Sequence, residues 1–200
     1  MANTDAPFGL EPLYGTYNQN HCHLYRITNN YGTALFIQDP VRLEATGTIE
    51  QPAVTGEYFV GVIVAVFLSS SQNYVYPTGL LPVNYYAASP GATYDYWAMV
   101  MDNPNAQFRV QDDGSGTLTY TDLGLNADVI WTHTGNTTSG ISQMELDVTT
   151  AATTNTFPLR MLALSSEWDA KAGAWNAPAA VNAKWIVKIN LHQLNYTTGL

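Results

Sequence analysis

Two hundred residues are enough for one domain with its own core, or for one domain carrying a long arm. Apolar residues make up 46% and charged residues only 12%, about half the usual charged share, which excludes a disordered chain. Sixteen acids against seven bases set the formal charge at −9 and the pI near 4.6, so phosphate backbones are repelled and direct nucleic-acid binding is not expected.

The first residues, Met1 to Pro7, have neither the basic nor the apolar segment of a secretion signal. The chain is therefore expected to be made and kept in a cytoplasm until lysis. Residues 1–20 lack periodicity and read as an extended N-terminal arm with spaced apolar anchors at Phe8, Leu10, Leu13, Tyr14 and Tyr17. Burying those five side chains returns less than the backbone entropy of ordering the arm. The arm is thus expected to be mobile in the free protein, and to order when it gains hydrogen bonds by adding a strand to a partner's edge. The five anchors form the expected partner-binding set. Residues 21–200 read as a single β domain.

His21-Cys22-His23 opens that domain. On an extended chain its two imidazoles share a face with metal-ligand reach. Zinc needs three or four protein ligands, however, and His133 and His192 are far away in sequence with no C-x-x-C or H-E-x-x-H beside them. No metal and no other cofactor is expected. Cys22 stands alone, so no intramolecular disulfide is possible and stability must come from packing and hydrogen bonds.

Strands are predicted at 33–37, 58–68, 94–101, 107–111, 117–120, 128–132, 143–148, 156–164 and 184–191, where Thr, Val, Ile and Tyr concentrate. The run from Tyr58 to Leu68 is too short to span a bilayer and reads as a buried strand. Residues 68–90, rich in Ser, Tyr, Pro and Gly, read as a long loop or excursion. The sequence from Asp112 to Gly116 lacks the alternating oxygens and terminal Glu of a calcium loop, and reads as a hairpin turn between 107–111 and 117–120. One short helix is predicted within Thr121–Ala127, capped by Thr121 or Asp122. Pro158 makes the strand at 156–164 an edge or a strand start. In the last strand Trp185, Val187, Ile189 and Leu191 share one face. Short strands with regular turn punctuation predict an all-β fold, an antiparallel sandwich or a Greek-key or jelly-roll-like barrel.

Catalytic signatures are missing: the sequence contains no G-x-S-x-G, no phosphate-binding glycine loop and no dinucleotide fingerprint. The two N-x-T triplets, at Asn136 and Asn195, carry no meaning without a secretory route. Trp97 and Trp185 fall inside predicted strands and read as core, whereas Trp168 and Trp175 flank a Gly/Ala-rich loop and suit an exposed, glycan-stacking role.

The opening Asn3-Thr4-Asp5-Ala6-Pro7-Phe8-Gly9-Leu10, with Pro12, resembles the start of a family of tailed-phage head proteins regarded as capsid decoration or cement proteins. Similar blocks follow in order: Thr33–Ile37 with Asp39-Pro40-Val41, Gly61–Val64, Gln111–Gly114, Gly124–Asp128, Glu145–Asp147, Thr149–Thr154, and Ala183–Asn190 with His192-Gln193. His21-Cys22-His23 and residues 68–90 lie outside the shared pattern. The resemblance implies a non-enzymatic virion protein, assembled in the host cytoplasm and sited on the outer capsid surface. Its partners would be the major capsid protein and copies of itself, a homotrimer in preference to a dimer, with no nucleic acid and no membrane. The alternative is a glycan-binding or host-recognition protein of the virion.

Overall fold

The computed structural model describes residues 3–13, 22–70, 77–91, 95–132 and 134–195. In chain order the strands are β1 (Glu11–Pro12), β2 (Cys22–Ile27), β3 (Leu35–Phe36), β4 (Pro40–Leu43), β5 (Thr48–Glu50), β6 (Gly61–Ser69), β7 (Leu81–Val83) and β8 (Tyr85–Tyr86). Then follow β9 (Asp95–Met101), β10 (Gln107–Gln111), β11 (Asn126–Ala127), β12 (Leu159–Leu164), β13 (Trp168–Asp169), β14 (Ala174–Trp175) and β15 (Lys184–Ile189). The protein is all-β. Among the described residues, helical structure is limited to 3-10 turns at Tyr120–Asp122, Val148–Thr150 and Gln193–Asn195. None of the helices is long and apolar enough to cross a membrane.

Five strands close a barrel in the order β4-β5-β2-β9-β6, with β6 returning to pair β4 and β7 extending the far end of β6. Its pairs are antiparallel except β2–β5. A second, antiparallel sheet runs β1-β10-β15-β12-β11. Two small ribbons, β3–β8 and β13–β14, complete the fold.

Two cores follow from this arrangement. Ile27, Val41, Ile49, Ile63, Val66, Ala98 and Val100 pack together among the barrel strands. Val62 and Met101, from the same β6 and β9, instead pack with Phe108, Trp185 and Val187 of the second sheet. β6 is thus covered on both faces, which is why its sequence is an unbroken apolar run and not an alternating one. A register shift between Ile63 and Ala65 puts an extra residue in β6, so Ile63 and Val66 join one core although three positions apart. β15 keeps strict alternation: Trp185, Val187 and Ile189 are buried, and Lys184, Ile186 and Lys188 between them are partly exposed.

Several expected elements take a different form. The segment 117–120 is not a strand, because β10 spends its two edges on β1 and β15 and leaves none for a hairpin. Asp112 to Gly116 is instead a turn closed by its own carboxylates: Asp112 accepts from the Gly114 amide, and Asp113 from Ser115 and the Val148 amide. The segments 128–132 and 143–148 contribute only isolated bridges, through Val129 and Leu146. The expected helix at 121–127 is a 3-10 turn starting at Tyr120, capped by Thr119 with Asp122 completing the capping box. Within 68–90, residues 77–90 carry β7 and β8, while 71–76 lie outside the described residues.

Gly61 sits where β4, β6 and β9 converge, and a Cβ there would lie 2.2 Å from the Met101 carbonyl oxygen and 2.7 Å from Val100 Cγ1. Gly61→Ala is expected to destabilise the fold by about 1–3 kcal/mol through overpacking. The readout is a lower urea midpoint at unchanged slope.

Candidate functional site

Residues 3–13, the described part of the expected arm, lie against the body as a strap. Asn3 donates to the Ala177 and Val181 carbonyls and accepts from the Ala177 amide. The Thr4 amide and hydroxyl donate to the Asp169 carboxylate at 2.9 and 3.1 Å. The Ala6 amide donates to Gln111 Oε1 at 3.1 Å, and the buried Gln111 amide group in turn donates to Asp5 and Glu145. The Leu10 and Leu13 amides donate to the carbonyls of Gln38 and Gln107, each at 2.9 Å, as Glu11 and Pro12 pair with Arg109 and Phe108.

This corrects the expectation of a mobile arm over residues 3–13. The strand addition that was to recruit a partner is made to the chain's own β10. Of the expected partner-binding residues, Leu10 is fully buried in the core beside Phe59, Val62 and Met144, so it is withdrawn from any partner surface. Phe8 and Leu13 stay partly exposed. Tyr14 and Tyr17 lie outside the described residues.

Arg109 of β10 couples the strap to its surroundings. Its guanidinium donates to Glu11, with Nε at 2.7 Å, and to Glu167, and it lies over the Phe8 ring at 5.0 Å. Glu167 also takes Lys184 Nζ at 2.8 Å. Asp169 is held below the usual carboxylate range by the Ala172 and Thr4 amides, the Thr4 hydroxyl and Lys184. None of Arg109, Gln111 or Asp169 stands out in the sequence. Their partners in the strap are about a hundred residues away or more, and no local pattern encodes that distance.

Where the strap passes the Gln38–Asp39 turn, Gly9 adopts φ +72°, and a Cβ there would lie 2.6 Å from the Gln38 carbonyl oxygen and 2.5 Å from Ser142 Cβ. Asp39 beneath is buried, and its carboxylate accepts from the Phe36 amide at 2.7 Å. Burial pushes it up to about 7, against the smaller opposing effects of the Ser142 hydroxyl and the Phe36 amide.

A second polar cluster gathers at the ends of β2 and β9. The buried Asp102 faces His23 Nδ1 at 2.8 Å and accepts from the Tyr25 hydroxyl at 2.6 Å. Burial is the first cause raising both the Tyr25 phenol and the Cys22 thiol; the Asp102 hydrogen bond and then its charge add to it at Tyr25, and the Asp102 charge at Cys22, so Cys22 is no ready thiolate. His192, wholly buried, accepts from the Leu194 amide through Nδ1, and burial lowers it to about 4 despite Asp102 nearby. It is neutral, with its proton on Nε2. Among the described residues no group of three or more His, Cys, Asp and Glu side chains is placed to hold a metal, and no hydroxyl is bonded to His23 as a nucleophile would be. His21 and His133 lie outside the described residues.

The tryptophans separate as their neighbours in sequence suggested. Trp185 is buried and donates to Asp112 at 3.1 Å, and Trp97 is also buried. Trp168 and Trp175, cross-strand partners on β13–β14, are exposed. Comparison with protein-family models, with curated proteins and with solved structures finds no match.

Two outcomes test this description. Leu10→Ala is expected to lower the unfolding free energy by about 2–5 kcal/mol, since it empties a closed core position; denaturant titration reads it, and an unchanged midpoint would mean the strap is undocked in solution. Asp39 binds its proton more tightly folded than unfolded, so its contribution to stability is complete below its ordinary value of 3.8 and lost as pH rises through about 7. Asp39→Asn should flatten the fall in melting temperature between about pH 4 and pH 7.

Proposed function

We propose that this chain is a non-enzymatic virion structural protein, a decoration or cement subunit that binds the outer surface of a tailed-phage head and stabilises the shell against the pressure of the packed DNA. The ordered resemblance of its sequence blocks to that family supports the reading. The structural observation that carries it is the position of the strap: β1 is the end strand of the five-stranded sheet, with the half-buried Phe8 and Leu13 on either side of it.

As an end strand β1 has, among the described residues, no partner strand on its outer side, but Pro12 carries no N–H to donate there, so the contact it offers another chain is chiefly apolar. Phe8 and Leu13 add apolar contact, and the chain continues from Leu13 directly into Tyr14 and Tyr17. The partners are the major capsid protein and copies of this chain, as a homotrimer in preference to a dimer. A trimer multiplies a modest affinity per strap through effective concentration. No cofactor, nucleic acid or membrane enters this scheme.

The test is binding of the full chain to heads that lack it. Leu13→Asp is expected to weaken head binding about tenfold or more while the protein stays folded by circular dichroism. Full-strength decoration by that variant, or micrographs of purified particles with no density for the chain on the head exterior, would overturn the reading.

A further inference from the structure

Trp168 and Trp175 are 55% and 62% exposed, on a ribbon that is held rigidly. The Asn176 side chain donates to the Ser165 and Lys184 carbonyls at 2.7 and 2.8 Å and accepts from the Lys184 amide at 3.0 Å. The Asp169 carboxylate caps the turn by accepting from the Lys171 and Ala172 amides, and the strap ties it down through Thr4. Two large rings are thus presented to solvent on a support that has already lost its freedom, as a preorganised binding site requires.

We infer that the β13–β14 ribbon, with the adjoining Tyr120 turn, is a binding platform for neutral glycans built of pyranose rings. The two indoles stand edge to face, with centroids 5.8 Å apart and planes at 82°, so their faces point in different directions. That geometry suits successive sugar rings, whose C–H faces stack on aromatic faces, better than one flat protein surface. Beside Trp175 a half-open groove of about 320 Å³ runs to Tyr120 and Leu123, the size of a small-ligand site. Tyr120 is 61% exposed.

The polar groups fit the same ligand. Within the described residues the two indole N–H groups, the Tyr120 hydroxyl and the Ser166 hydroxyl have no protein partner, and they are free to bond sugar hydroxyls. The carboxylates nearby are engaged: Glu167 with Arg109 and Lys184, Asp169 with Thr4 and the turn amides, and Asp122 with Thr119. A ligand that needs no ionic partner is what such a surface selects. The platform is separate from β1 and does not rest on the capsid reading.

The experiment titrates the full-length protein with two neutral hexasaccharides, one β-linked glucose and one β-linked N-acetylglucosamine, by tryptophan fluorescence and calorimetry. Saturable binding of at least one is expected, unchanged by added salt because no charges pair. Trp168→Ala and Trp175→Ala should each weaken it about tenfold or more at unchanged melting temperature, with Phe at either position retaining part. No saturable response to either sugar up to about 10 mM, or binding undiminished in the double Ala variant, would overturn the proposal. Loss of head binding in the double variant, with neither sugar bound, would also overturn it and make the ribbon a capsid contact.

Discussion

β6 and β9 form a wall between two cores, and the rest of the molecule is arranged around it. One set of their side chains packs within the barrel, and Val62 and Met101 pack against the second sheet. A strand covered on both sides has no solvent face on which a polar substitution is harmless, and no room at close approaches. Gly61 marks the tightest of these, against the Met101 carbonyl. The extra residue at the register shift in β6 lets one strand serve both cores without strict alternation.

The strap illustrates how hydrogen bonding decides what apolar burial leaves open. Its anchors alone return too little to order an extended segment. Bonds from Asn3, Thr4, Ala6, Leu10 and Leu13 to the body supply the difference. The receiving groups are shared: Gln111 holds Ala6, Asp5 and Glu145, while Arg109 holds Glu11, Glu167 and Phe8. Neighbouring contacts that share partners are coupled, so loosening the strap also loosens the β13–β14 ribbon that Thr4 and Asn3 help to hold.

The buried polar groups read as structural. Asp102 is occupied by His23 and Tyr25, His192 is held neutral, and the Cys22 thiol is raised rather than activated. The two contact surfaces we propose lie apart from these groups: the end strand β1 with its apolar flanks, and the exposed aromatic ribbon β13–β14. They are built on different elements, and the contacts proposed for them differ in chemistry, apolar packing beside an end strand at one and stacking of rings at the other.

Composition, β-branched runs and turn residues made the all-β class legible, and the long strands β6, β9, β10, β12 and β15 fall where those signals are strongest. The even-spaced apolar residues of β15 and the core positions of Trp97 and Trp185 were readable for the same reason: alternation and apolar neighbours are local properties of the chain. β2, β4 and β5 were not, because Cys22–Ile27, Pro40–Leu43 and Thr48–Glu50 are short or mixed in polarity and become strands only by completing the barrel. A hairpin at Asp112–Gly116 looked sound locally, yet β10 found better partners in β15 and β1, more than seventy and nearly a hundred residues away. Which strand pairs with which, and whether Leu10 meets a partner or its own core, depends on edges brought together by the closed barrel and the sheet packed on it. Periodicity along the chain does not carry that information; only the assembled tertiary structure does.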